Sequence, residues 1–366
     1  DEAQAAVLTR HGRLDESLPL LERALAHLPG SALATRVALL SSYGRALRWA
    51  GRHDAARAPW QEQVQLCEAL RLPARQAVAL VQLGTLLIEF GPHEEGVAML
   101  RRAAELARAS GSVVALRAAL VTMANTEFHA GRAAAALEAI RQAEQAAPFW
   151  DNPEVRHVCL EGRFYAHFLL GDAAALRAQA GPLLAASRTL GVPYHRLSSL
   201  RLVMSAHLLL DALDEVEPLL HEARSVLGAS ENFALHGAAV AAREAEWLRR
   251  RGDAPGAWAL ATRWLDGAVS LNADGRAELV AVAAEAAVDR GDAAAAAGCL
   301  ASCDTLDGIP LDSQVRLATA RLRCAAAGEG DLAAAQAAAL AWLDDTRLPV
   351  LEGRGLRRAL EALRPV

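Results

Sequence analysis

The sequence predicts an all-α protein, an α-solenoid of about nine antiparallel helix hairpins. Three observations predict it. Of the 366 residues, 53% are hydrophobic but only 4% are aromatic, so Ala, Leu and Val carry the apolar content. That is the composition of closely packed helices, because Ala and Leu lead the helix scale. Second, a Gly followed by Arg, Asp or Pro returns at Gly12, Gly51, Gly91, Gly131, Gly171, Gly252, Gly291 and Gly330, with separations of 39, 40, 40, 40, 81, 39 and 39. The gap of 81 is two periods, and at its midpoint Asp211-Ala212-Leu213-Asp214 replaces the glycine turn. Third, apolar residues between the turns fall at helical spacing, as in Leu80, Leu83 and Leu87 and then Val97, Leu100 and Ala104.

Each period of about 40 residues reads as helix A, tight turn, helix B. The glycine belongs at the turn because it accepts the left-handed backbone of a helix C-terminus without a Cβ clash. A second break per period is marked by Pro29-Gly30, Pro73, Gly111, Pro148, Gly191 with Pro193, Gly228, Asn272 to Gly275, and Gly308 with Pro310. Five residues past the turn a small residue recurs, at Ser17, Ala56, Gly96, Ala136, Ala257, Ala296 and Ala335. Another stands seven before it, at Gly44, Gly84, Ala124, Ala245 and Ala284. Two helices that cross closely need such positions. Leu176 and Val216 break the first rule, and Phe164, Met204 and Arg323 the second, which predicts splayed or repacked middle units. The first hairpin, 1–30, opens with only part of a helix A, and 348–364 reads as a capping helix with Leu351, Leu356, Leu360 and Leu363 on one face.

These paired small positions resemble the tetratricopeptide pattern rather than the armadillo or HEAT one. Units of 39 to 41 residues, longer than the standard repeat, resemble the arrays of maltose-regulator-like and large LuxR-type bacterial transcriptional activators. The resemblance spans essentially the whole chain and implies a single right-handed superhelical domain over 1–366. It also implies a function: the array senses an inducer or a protein regulator and relays occupancy to ATPase and DNA-binding modules elsewhere in the polypeptide. The chain starts at Asp1 without a Met, so it is expected to be a piece of such a longer regulator. The alternative is a free-standing scaffold that clamps a peptide segment of a partner.

Composition excludes several classes. All 38 basic residues are Arg, and a chain without Lys has no phosphate-loop lysine, no Schiff base and no lysine general base. With a net charge of −5 and dispersed Arg, no direct nucleic-acid contact is expected from this segment. Cys67, Cys159, Cys299, Cys303 and Cys324 lie in apolar helical stretches and read as reduced core residues of a cytoplasmic protein. No apolar run is long enough to span a bilayer, and no leader opens the chain. The Gly-x-Ser-x-Gly, His-Glu-x-x-His and Gly-x-Gly-x-x-Gly motifs are all missing, so neither an enzyme nor a cofactor is expected. His157 and Glu161 stand one turn apart but lack a third ligand, so no metal is expected either.

If helix A lines the concave surface, residues six before each turn point into it: Arg45, Thr85, Asn125, Tyr165, Ser205, Glu246, Glu285 and Cys324. Neighbouring positions add Arg48, Trp49, Phe128, His129, Phe168, Arg201, Arg249, Glu278 and Asp289. A solvated surface would also be polar. Aromatic faces beside amides and hydroxyls, however, suit a sugar or a peptide. Asn125, Phe128, His129, Tyr165 and Phe168, at matching phases of two successive A helices, are expected to form the centre of the patch.

Overall fold

The computed structural model describes residues 2–129, 132–145, 153–228, 234–267, 271–304, 309–345 and 350–363. Among them are nineteen α-helices and no strand. They run α1 (Glu2–Arg10), α2 (Leu14–Ala26), α3 (Leu33–Trp49), α4 (His53–Ala69), α5 (Pro73–Phe90) and α6 (His93–Ala109). Next come α7 (Val113–His129), α8 (Ala133–Gln145), α9 (Pro153–Leu170), α10 (Ala173–Leu190), α11 (Pro193–Leu209) and α12 (Val216–Gly228). The chain continues with α13 (Ala234–Arg250), α14 (Ala254–Leu265), α15 (Ala273–Asp289), α16 (Ala293–Ala301), α17 (Leu311–Ala326), α18 (Leu332–Asp344) and α19 (Val350–Glu361). No helix among the described residues is long and apolar enough to cross a membrane.

The turns follow from residue type. Gly12, Gly51, Gly171, Gly252, Gly291 and Gly330 have φ between 67° and 107°, and Asp211, at the midpoint of the long gap, has φ 58°. Aspartate is one of the few residues with a side chain that tolerates this region. Where Asp follows the glycine, one dipeptide ends a helix and caps the next. The carboxylates of Asp172, Asp253, Asp292 and Asp331 each accept from the backbone N–H three residues on, at 2.9–3.0 Å. Gly91 differs: its backbone is extended at φ −149°, because Pro92 disfavours a helical conformation in the residue before it. Gly131, Pro148 and Gly308 lie outside the described residues.

The small positions sit at buried crossings. Ser17, Ala56, Ala136, Ala257 and Ala296 are fully buried, as are Ala124, Ala245 and Ala284. Within the α5/α6 pair, a Cβ on Gly96 would stand 2.6 Å from the Gly84 carbonyl oxygen, and one on Gly84 2.9 Å from that of Gly96. The departures are repacked. Phe164, Met204, Leu176 and Val216 are buried, so larger side chains occupy the same crossings. Arg323 leaves the core to pair with Asp289 and Glu285.

Odd-numbered helices pack on their even-numbered partners and on each other, in unbroken succession from α5 to α19. The even-numbered helices pack chiefly on odd ones, which leaves the odd set as a continuous layer. That layer winds back on itself after 144–147 residues. Arg10 meets Glu154, Tyr165 meets Asp312 and Arg358 meets Asp211 across such separations. Trp49 stacks on Tyr194 in the same way, ring centroids 4.6 Å apart. Helix α19 buries Leu351 and Leu356, packs on α17, and also reaches α9 and α11.

Candidate functional site

A partly open chamber of about 730 Å³ lies between these helices. Arg48 enters from α3, Thr85 and Glu89 from α5, Thr122 and Asn125 from α7, and Glu161 and Tyr165 from α9. Tyr194, His195, Ser198 and Arg201 enter from α11, and His236 and Ala239 from α13. Asn272, at the N-cap of α15, joins Asp274 and Glu278 on the far wall, and Pro310 closes it ahead of α17. Helical periodicity explains the set: Glu161 and Tyr165, or Ser198 and Arg201, stand one turn apart on one face. Phe164 and Phe168, flanking these residues on α9, are buried, and Phe168 stacks on Tyr165 with ring centroids 5.9 Å apart.

Most groups at the chamber wall are partnered. Arg48 and Glu89 form an ion pair at 2.7 Å; burial opposes the charge on Arg48, but Glu89 and Tyr194 outweigh it and raise its pKa. Tyr194 lies flat on Trp49 and meets His236 edge-on at 4.3 Å. Burial, assisted by Arg201 and Arg48, holds His236 well below the usual imidazole range, and burial also lowers His195 against the pull of Glu161. Burial, with Asp312 next, raises Tyr165 well above the usual phenol range. These rings therefore act as neutral donors and acceptors near pH 7.

Arg201 and Glu161 are different. Burial works against the charge of Arg201, while Glu278, Asp274, Tyr165 and Glu161 raise its pKa. Yet among the described residues the Arg201 guanidinium forms no hydrogen bond and no ion pair within 4 Å; only its backbone carbonyl accepts, from Ser205 at 3.0 Å. Glu161 accepts a hydrogen bond from the Ser198 hydroxyl and has no cation partner among the described residues.

Beyond the chamber lies a charged layer with almost no free space, about 20 Å³. The Arg243 guanidinium donates to both Glu278 oxygens and, through Nε, to Ser205 Oγ at 2.8 Å. Glu246 pairs with Arg249 at 2.9 Å and with Arg250. Glu352 of α19 is buried here, and burial, reinforced by Asp312, pushes its carboxyl up to about 8.

Of the residues expected in the groove, Arg48, Thr85, Asn125, Tyr165 and Arg201 line the chamber. Trp49 does not: it is buried beneath Tyr194 as a stacking base. Phe168, Ser205 and Glu246 face the dense charged layer, where Ser205 and Glu246 are taken up by Arg243, Arg249 and Arg250. Arg45 is exposed and outside the chamber lining. The side chains of Phe128 and His129 lie outside the described residues. His157 is fully buried and bonds Ser199 at 2.8 Å; no group of three or more His, Cys, Asp or Glu among the described residues is placed to hold a metal. Sequence reasoning missed Tyr194, His195, Ser198 and His236, which enter from the early turns of α11 and α13. The Tyr194-His195 pair directly after the helix-starting Pro193 was their one available signal.

Fold and site together define an all-helical chain with a partly open cavity whose largely apolar wall carries charges of both signs. No protein-family model matches the chain, and no curated protein sequence matches it.

Proposed function

We propose that this chain is the ligand-sensing module of a transcriptional regulator, a right-handed tetratricopeptide-like solenoid of about nine hairpins with the chamber as its receptor. The observation that carries the reading is convergence: one cavity draws side chains from α3 through to the residues ahead of α17. A ligand there would bridge helices far apart in sequence and favour one winding of the array over others, which is how occupancy becomes a signal. The volume falls in the range of about 300–1,000 Å³ typical of small-molecule sites. The regulator assignment itself rests on the repeat pattern and unit length. In this reading the segment binds an inducer, catalyses nothing and touches no nucleic acid directly.

The test is thermal melting in the small-molecule fraction of a bacterial extract. The Tm of the parent should rise with extract concentration, as mass action requires. Ala239→Phe, which fills the chamber without removing a polar group, should not respond. A parent that never shifts, or an Ala239→Phe protein that shifts equally, contradicts the proposal.

A further inference from the structure

The inner layer pairs its buried charges closely. Arg48 holds Glu89 at 2.7 Å, Arg243 grips Glu278 with two nitrogens, and Arg249 meets Glu246 at 2.9 Å. Arg201 and Glu161 break the habit. Both line the same cavity, one from α11 and one from α9, and Arg201 feels the charges of Glu278 and Asp274 and, further down, of Glu161 without an ion pair to any of them. Ser198, one turn before Arg201, anchors the Glu161 carboxylate, so the two opposite charges are held apart rather than left to collapse together. The carboxylates around Arg201 favour its charge from a distance but none reaches it, so its guanidinium donors stay open to a ligand that brings its own acceptor.

We infer that the chamber receptor takes a small zwitterion of the amino-acid or dipeptide class, its carboxylate on Arg201 and its ammonium on Glu161. The inference rests on the chamber reading above and deepens it. A planar guanidinium matches a carboxylate with two parallel hydrogen bonds, and an ammonium matches the free oxygen of Glu161. The ligand and the Arg201–Glu161 pair are each neutral overall, so no net charge enters a low-dielectric space. A neutral sugar fits less well. Its hydroxyls would leave both charges uncompensated, and the ring it would stack on is engaged: Trp49 covers one face of Tyr194, and His236 meets it edge-on.

The experiment is calorimetric titration and melting with a defined panel: the twenty α-amino acids and the glycyl dipeptides, their N-acetyl and C-amide forms, and glucose and sucrose as neutral controls. At least one zwitterion should bind and raise the Tm, with its N-acetyl and amide forms each weaker by about 10- to 100-fold, the worth of one charge-assisted hydrogen bond. Arg201→Met should erase the preference for acid over amide, and Glu161→Gln that for amine over N-acetyl. Equal binding of the N-acetyl or amide forms, preference for a sugar, or no binding by any member overturns the inference. If the panel fails while the extract still raises the parent's Tm, the chamber reading stands and only the zwitterion falls. If both fail, both fall.

Discussion

The α5/α6 and α9/α10 pairs occupy equivalent places in the repeat and solve the same crossing in opposite ways. In α5/α6 two glycines let the backbones meet, Gly84 against Gly96, with no room for even a methyl group. In α9/α10 the corresponding residues are Phe164 and Leu176, both buried. The first crossing is held by backbone proximity, the second by side-chain volume. The difference bears on the site, because α9 and its neighbour α11 carry Glu161 and Arg201 of the chamber lining. What is preserved is a filled crossing, not a residue type, and the bulkier filling coincides with one wall of the chamber.

The largest break in that comparison is expected from Phe164→Ala. It empties a fully buried site among Leu and Ile side chains and should cost about 3–5 kcal/mol in a urea melt. A loss below about 1 kcal/mol would mean that side-chain volume does not hold the α9 crossing. Next comes pH, which should act on the α9 side, where α19 packs. The buried Glu352 carboxyl titrates at about 8 when folded, against 4.5 for an ordinary glutamate. The folded state therefore keeps an extra proton between those values: its stabilisation is complete below 4.5 and is lost as the pH rises through 8. From pH 5 to pH 7 the parent should lose about 2 kcal/mol through this one group, and Glu352→Gln should flatten the slope. An unchanged slope would remove the assignment. Smaller still is Gly96→Ala, whose methyl would meet backbone rather than a flexible side chain and should cost about 1–2 kcal/mol. Gly298→Ala, in α16 with open space around it, should instead gain about 0.5–1 kcal/mol. Equal effects at Gly96 and Gly298 would show that the α5/α6 backbones do not touch.

The turns between paired helices were legible because a left-handed backbone favours Gly, and the period then placed Asp211 by arithmetic; Arg71, also left-handed at φ 53°, carried no such signal. Gly91 was misread because its conformation is set by the following Pro92 rather than by the period. The inward phase of helix A was legible for Arg48, Thr85, Asn125, Tyr165 and Arg201, which recur at about the repeat spacing. It failed at Trp49 and Phe168, where an aromatic ring on a nominally inward phase is covered by another part of the chain. No single repeat encodes the approach of Trp49 to Tyr194; it arises only when the array winds back on itself. The same holds for Glu161, which looked like half of a metal site beside His157. The two part company because His157 turns to Ser199 in the core while Glu161 turns to the chamber.

The central claim is that segments distant in sequence share one receptor, and hydrogen exchange with and without the small-molecule fraction of an extract tests it most directly. Binding in the chamber should slow exchange together in α7 around Asn125, in α9 and α11 around Glu161 and Arg201, and at the start of α15 around Asn272, while the even-numbered helices change little. Protection confined to a single pair of adjacent helices, or spread over the even-numbered helices instead, would contradict the account.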